Sequence, residues 1–212
     1  SNILIAGGTG VGKTTFLNLL LQEISPTDRV VILEDTKELK FEHSNCVRLF
    51  TPTLSSKLSN PLTMRALVKN TLRMRPDRII MGEVRGAEAF DLLQVMNTGH
   101  DGSMCTVHAN SPSEALMRME NLFLFSGHDI PLKAIRFQMM SALDYIIQLG
   151  RDRESGRVVT HITEVCNMEG DRILLQDIGL RSQLGAQFTG LVPKNIDALV
   201  DVGLSKTFFE DL

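Results

Sequence analysis

Residues 1–15 read SNILIAGGTGVGKTT, and the reading of this stretch decides the fold. Ser1 to Ile5 is a short apolar strand. Gly7 to Thr14 (GGTGVGKT) fits G-x-x-x-x-G-K-[ST], with Gly7, Gly12, Lys13 and Thr14 in the fixed places. Glycine is required here because the backbone must turn tightly and approach an anion within hydrogen-bonding distance. A helix opening at Lys13 aims its free N–H groups and its positive dipole end at the same anion. Lys13 adds a full charge near the terminal phosphates, and Thr14 offers a hydroxyl to Mg²⁺. The expected phosphate-binding set is Gly7, Gly8, Thr9, Gly10, Val11, Gly12, Lys13, Thr14 and Thr15.

Outward from the loop, helical and strand patterns alternate. Lys13 to Glu23 is a helix apolar on most of its circumference, which predicts that it is buried. Arg29 to Leu33 (RVVIL) is a near-continuous β-branched strand, with Glu34-Asp35 at its end and Glu38 just beyond. Leu49 to Pro61 is polar and broken by prolines and reads as a mobile loop. Leu62 to Met74 is an amphipathic helix with Met64, Leu67, Val68, Thr71 and Leu72 inward. Its other face carries Arg65, Lys69 and Arg73, either a solvated stripe or a charged surface for a neighbouring subunit or nucleic acid. Arg78 to Met81 is a buried strand ending in Gly82-Glu83. Gly86 to Asn97 is a helix, and Ser103 to Val107 a strand ending at His108. Ser111-Pro112-Ser113-Glu114 joins a capping box to a proline at the first helical position, so a helix runs from there to about Phe125. A further helix follows Asp129 and reaches about Leu143, and Tyr145 to Leu149 is a strand.

Beyond Gly150 the texture changes. Arg157 to Val165 and Arg172 to Ile178 alternate around a turn at Asn167 to Gly170, which predicts a β-hairpin, and Ile196 to Val202 reads as a helix in the tail. The fold class expected is α/β with a mostly parallel twisted sheet flanked by helices, residues 1–150 forming the core and 151–212 a C-terminal extension of hairpin and helical tail. In such a sheet, ligands bind beyond the carboxyl ends of the strands. The glycine loop, Glu34-Asp35, Glu83 and His108 all lie just past predicted strand ends and should meet on one edge.

The chemistry that edge can support is phosphoryl transfer, which needs positioning and charge stabilisation more than covalent chemistry. Glu83 can hold a metal-bound water or polarise the attacking one. Glu34, Asp35 or Glu38 can supply a second carboxylate, so Thr14, Glu83 and Asp35 are the groups expected on the metal side. His108 can sense the γ-phosphate, and Arg85 can reach a phosphate in its own site or a neighbour's. A guanine-reading segment would want [NT]-K-x-D; Thr36-Lys37-Glu38-Leu39 begins that way but lacks the Asp, which favours ATP.

The bulk numbers exclude other classes. The net charge of −3 gives no overall pull toward nucleic acid or an anionic membrane, and no apolar run has the length of a membrane span. Cys46, Cys105 and Cys166 are far apart and odd in number, which suggests neither a disulfide framework nor a zinc site; a reducing cytosol suits them, each as a small buried hydrophobe. The chain opens directly on its first strand, as a fragment or isolated domain would.

Taken in order, four stretches resemble the type II/type IV secretion ATPases, the motors of secretion systems, conjugation machines and pili. GGTGVGKTT is similar to their Walker A, and ILEDTKEL (Ile32 to Leu39) to their aspartate box. LRMRPDRIIMGEVRGAEA (Leu72 to Ala89) is similar to their Walker B region, with glutamate for the usual aspartate, and TGHDGSMCTVHANS (Thr98 to Ser111) to their histidine box. The resemblance spans roughly residues 1–166. Within the superfamily, RMRPDRIIMGEVRGAEAFDLLQVMNTGHDGS and VTHITEVCNMEGD look most like the branch that powers tight-adherence (Tad/Flp) pili, close to the conjugation-type ATPases. The lack of paired C-x-x-C motifs speaks against the zinc-bearing type II branch.

This resemblance implies a RecA-like P-loop NTPase fold and a hexameric cytoplasmic motor, peripheral at the bacterial inner membrane, that hydrolyses ATP with Mg²⁺ and pushes on an inner-membrane platform protein. Lys13 and Thr14 would bind phosphate and magnesium. Glu83 would be the Walker B glutamate, Glu34 the aspartate-box carboxylate that helps activate water, with Asp35 and Glu38 supporting, and His108 the residue near the γ-phosphate. Arg85 would couple neighbouring subunits. Relatives carry an N-terminal domain before the first strand that helps form the site, and nothing in this chain corresponds to it. The alternatives are an ATP-gated switch with little turnover and a RecA-type nucleic-acid translocase; stable nucleic-acid binding is not expected.

Overall fold

The computed structural model describes residues 1–52, 62–152, 154, 156–182 and 185–197 of the chain. In chain order the elements are β1 (Ile3–Gly7), α1 (Lys13–Leu21), β2 (Val30–Glu34), β3 (Cys46–Phe50), α2 (Met64–Thr71, prolonged by a 3₁₀ turn, Leu72–Met74), β4 (Arg78–Met81), α3 (Glu88–Met96), β5 (Met104–Val107), α4 (Pro112–Leu124), α5 (Leu132–Ala142), β6 (Tyr145–Asp152), β7 (Gly156–Glu169), β8 (Arg172–Ser182) and β9 (Gly185–Phe188). The nine strands among the described residues form one sheet, in the order β3-β2-β4-β5-β1-β6-β7-β8-β9. From β3 to β6 every neighbouring pair is parallel. From β6 to β9 every pair is antiparallel.

The parallel half is buried on both faces, and its side chains alternate between two cores, as the period of a strand requires. Leu4, Ala6, Val31, Leu33, Ile79, Met81, Cys105 and Val107 face the helices α2 to α5. Ile5, Val30, Ile32, Ile80 and Met104 face Leu17 and Leu21 of α1, together with Ile24, Leu39 and Phe41. Helix α1 buries the stripe at Lys13, Leu17 and Leu21 and leaves Leu19 62% exposed, so the helix expected to be buried is covered on one face. One helix covering one face of a sheet needs only an i, i+4 seam.

The α4 start is as the sequence predicts: the Ser111 hydroxyl accepts from the Glu114 N–H, with Pro112 in the first turn. The basic stripe on α2 proves to be partly structural. Arg65 donates to Asp91 of α3 at 2.6 Å, and Lys69 reaches the other oxygen of that carboxylate at 3.6 Å. Leu72, expected inward, is 48% exposed, because the helix tightens into the 3₁₀ turn there and rotates it off the buried face.

Three strand features depart from expectation. β3 begins at Cys46 and carries the chain through Leu49 and Phe50 as a parallel edge strand, where the loop was expected to begin. The rest of that loop, residues 53–61, lies outside the described residues, as does most of the helix expected over 196–202. The C-terminal hairpin is longer than expected and gains a third strand, β9, and β6 runs without a break through position 150 into this antiparallel arm. Of the cysteines, only Cys105 is buried, and burial pushes its thiol up to about 12; Cys46 and Cys166 are half-buried, and all three are free.

One turn is under a steric restriction that makes it a test of the fold. Gly102 leads into β5 at φ +85°, and a Cβ there would sit 1.9 Å from Nη1 of Arg78, whose Nε is held by Asp28 at 2.6 Å. Gly102→Ala must adopt a left-handed backbone and displace that ion pair. The expected loss is about 1–2 kcal/mol, a fall of several degrees in melting temperature by calorimetry.

Candidate functional site

The glycine-rich loop is shaped by what surrounds it. A Cβ on Gly7, the last residue of β1, would lie 2.6 Å from Cγ2 of Val11 and 3.1 Å from the Leu149 carbonyl of β6. Gly10 and Gly12 take left-handed backbone, at φ 71° and 98°. Gly12 caps α1, its carbonyl accepting from the Phe16 N–H at 2.8 Å. The first N–H groups of α1 therefore open into the space beneath the loop.

Lys13 is 8% exposed, and its Nζ donates to the carbonyls of Gly7 (2.9 Å) and Gly8 (3.0 Å). Burial pushes its pKa down; Glu83 pulls it back up, and Arg85 adds to the lowering. The same Nζ is 3.5 Å from Nε2 of His108. Thr14 donates its hydroxyl to Oε2 of Glu38 at 3.1 Å.

Glu83 follows β4 on a segment stitched to β5. The Val84 N–H donates to the Thr106 carbonyl (2.9 Å), and the Thr106 hydroxyl donates to the Gly82 carbonyl (2.6 Å). The Glu83 carboxylate meets Nη2 of Arg85 at 2.5 Å and Nε2 of His108 at 3.2 Å. Burial alone would raise its pKa, but the Arg85 hydrogen bond and the electrostatic pull of Arg85, His108 and Lys13 outweigh burial and hold it below the ordinary 4.5. The stabilisation it draws from these partners is thus complete at neutral pH and is lost as pH falls through that depressed value. Arg85 is correspondingly held up, first by its hydrogen bond to Glu83. Nε2 of His108 stands between a donor, Lys13, and an acceptor, Glu83. It can serve only one at a time, and the tautomer with its proton on Nε2 serves Glu83.

The acids after β2 divide their work. Glu34 is 2% exposed; its Oε1 accepts from the N–H groups of Glu38 (2.9 Å) and Leu39 (2.8 Å), which fixes the turn that brings Glu38 to Thr14. Its Oε2 is buried without a hydrogen bond, 3.7 Å from Nη1 of Arg48. Asp35 is exposed and accepts from the Thr51 hydroxyl at 2.8 Å.

Two connected crevices result. The larger, about 320 Å³, is lined by the loop, Lys13, Thr14, Thr15, Glu38, Glu83, Thr106, His108 and Arg157. The smaller, about 60 Å³, is lined by Thr14, Glu34, Asp35, Thr36, Glu38, Gly82, Glu83 and Arg85. Thr14, Glu38 and Glu83 belong to both. Every residue expected at this edge lines one or the other, except Gly7, Gly8 and Val11, which shape the loop from behind. Arg151 and Arg157 were not anticipated. They belong to no motif, and the pairing of β6 with β1 and with β7 brings them here.

Residues 1–178 match the family described as type II/IV secretion system protein. The chain is 43% identical over 167 residues to a protein of Mycobacterium tuberculosis named for conjugal transfer, covering 79% of this chain and 47% of that one. It is 41% identical over 174 residues to the conjugal transfer protein TrbB of Rhizobium radiobacter, covering 81% of this chain and 49% of TrbB. It superimposes on the crystal structure of the VirB11 ATPase of the Brucella suis type IV secretion system, in complex with sulphate, with a TM-score of 0.69 and 32% identity, covering 77% of this chain and 48% of that one. It thus spans about half the length of these relatives. With the RecA-like P-loop fold and a match over residues 1–178, the chain belongs to the type II/IV secretion system protein family.

Proposed function

We propose that this chain is the ATP-binding and ATP-hydrolysing part of a motor that drives secretion, conjugation or pilus assembly. The observation that carries the reading is the meeting of Lys13, Thr14, Glu83 and His108 beneath a glycine-rich loop at one sheet edge. The sulphate in the VirB11 structure supports it, as a phosphate-like anion bound by a relative. Residues 1–150 carry the chemistry in this reading, and the rest is an extension.

In the reaction, the phosphates of ATP lie under the loop, taking hydrogen bonds from its N–H groups and from the start of α1. Lys13 exchanges the Gly7 and Gly8 carbonyls for phosphate oxygens. His108 turns its Nε2 proton from Glu83 to the γ-phosphate. Glu83, charged at neutral pH, then accepts a hydrogen bond from the attacking water and aligns it. Glu34 lines the smaller crevice beside Glu83, and its Oε2, which makes no hydrogen bond and lies 3.7 Å from Arg48, is the second carboxylate oxygen at this edge. The residues fit Mg²⁺: the Thr14 hydroxyl, with Glu38, Asp35 and Glu83 lining the same crevice, suits an ion that takes most of its ligands from phosphate and water. When bound, Mg²⁺ supplies compensation for the charge on the phosphates.

The finer reading is a Tad/Flp-type pilus motor working as a homo-hexamer, cytoplasmic and peripheral at the inner membrane, against a platform protein, with Arg85 at the subunit boundary. No helix among the described residues is long and apolar enough to cross a membrane. A nucleic-acid translocase is less well supported, since Arg65 and Lys69 are engaged by Asp91. The test is calorimetric titration with nucleotide and Mg²⁺. One ATP should bind per chain, and GTP more weakly. Absence of binding to both the chain and the full-length protein would overturn the proposal.

A further inference from the structure

We propose that Arg157, with Arg151 opposite it, forms a clamp that the antiparallel arm supplies to the polyphosphate of a bound nucleotide. This rests on the nucleotide reading above and adds to it two cations that no motif carries. Arg151 and Arg157 are direct partners in the β6/β7 register. Like charges placed opposite each other in an antiparallel pair destabilise it. Among the described residues neither forms an ion pair with a carboxylate, whereas Arg181 on β8 reaches Asp152 at 3.8 Å and Arg85 binds Glu83. Such a pair is relieved by an anion between the two guanidinium groups.

Both arginines are aimed at the loop. Arg151 donates from Nη2 to the Gly10 carbonyl at 3.1 Å. Arg157 lies over Gly12, its Cδ 3.1 Å and its Nε 3.8 Å from where a Cβ would be. Each left-handed glycine of the loop therefore has one arginine against it. Arg157 also lines the larger crevice beside Lys13, Thr14 and Thr15, at the N-terminal end of α1. Loop N–H groups, a helix N-terminus, Lys13 and the Arg157 guanidinium around one crevice, with Arg151 held against the loop at Gly10, match an anion of several charges. The planar fork of a guanidinium suits two oxygens of one phosphate group. The clamp reads phosphate and not base, so it does not choose between ATP and GTP.

The test is calorimetric titration of MgADP and of inorganic tripolyphosphate into the chain and its Arg157→Ala, Arg157→Lys and Lys13→Ala variants at low salt, with melting curves without ligand. Arg157→Ala should weaken both ligands by about tenfold, Arg157→Lys should recover part of the loss, and the ligand-free melting temperature should stay level or rise as the repulsion is removed. Wild-type binding of both ligands by Arg157→Ala, with binding lost in Lys13→Ala, would overturn the clamp and leave the nucleotide site standing. Wild-type binding by Lys13→Ala would remove the site itself. Loss of MgADP binding with tripolyphosphate unaffected would assign Arg157 to the nucleoside and overturn the clamp. A clear fall in the ligand-free melting temperature of Arg157→Ala would make its role structural and overturn it too.

Discussion

Glu83→Gln is expected to leave nucleotide binding in place and to cut ATP turnover by about 10²–10⁴-fold. The side chains are the same size, and the amide oxygen can still accept from Arg85 or His108, so the segment stitched to β5 through Val84 and Thr106 should hold its shape. What is lost is the negative charge that makes a carboxylate a good acceptor for the proton of an attacking water. In the wild type that charge is secure at neutral pH, because Arg85, His108 and Lys13 hold the pKa down against burial. The amide also weakens the grip on Arg85, which should make that exposed guanidinium more mobile. Single-turnover and steady-state hydrolysis by the full-length protein, with equilibrium binding measured alongside, would check this. Retained turnover would move the chemistry to Glu34 or Glu38.

Lys13→Ala is expected to cost nucleotide affinity itself, by roughly 10–100-fold, the size of one or two charge-assisted hydrogen bonds. The geometry explains why the effect should be large. Lys13 is almost fully buried, and its ammonium already rests on two loop carbonyls, so it is held under the loop before any phosphate arrives. Its lowered pKa reflects the cost of keeping that charge out of water, a cost offset in part by Glu83. Alanine leaves both carbonyls without that donor and removes the cation facing His108. The variant should therefore bind MgADP poorly while still folding, because its remaining loop contacts are made by glycine backbone. Titration calorimetry reads the affinity and circular dichroism the fold. A dissociation constant unchanged from wild type would contradict the role given to Lys13.

The loop, the helix after it and the strand-end residues were legible because each depends on local sequence. A short apolar run followed by GGTGVGKT leaves the chain few other conformations, and RIIM before Gly82 reads as a strand without knowing its neighbours. What escaped depends on neighbours. β3 and β9 are edge strands, half-exposed or exposed, and β3 has Arg48 at its centre, so neither has the apolar run of a buried strand. Leu19 and Leu72 look like core by composition and are exposed because only one face of each helix meets the sheet. Arg65 and Lys69 read as a free basic stripe until α3 brings Asp91 against them. Arg151 and Arg157 carry no signal at all in the sequence. They approach the loop because β6 pairs with β1 on one side and β7 on the other.

The most direct test of the account is ATP turnover per chain by the full-length protein across a range of protein concentrations, with Lys13→Ala as the blank. Phosphate release above the blank is expected, with a per-chain rate that climbs with concentration if sites are completed between subunits. A full-length protein that binds ATP but releases no phosphate above the blank at any concentration would contradict it and make this fold a nucleotide-gated switch.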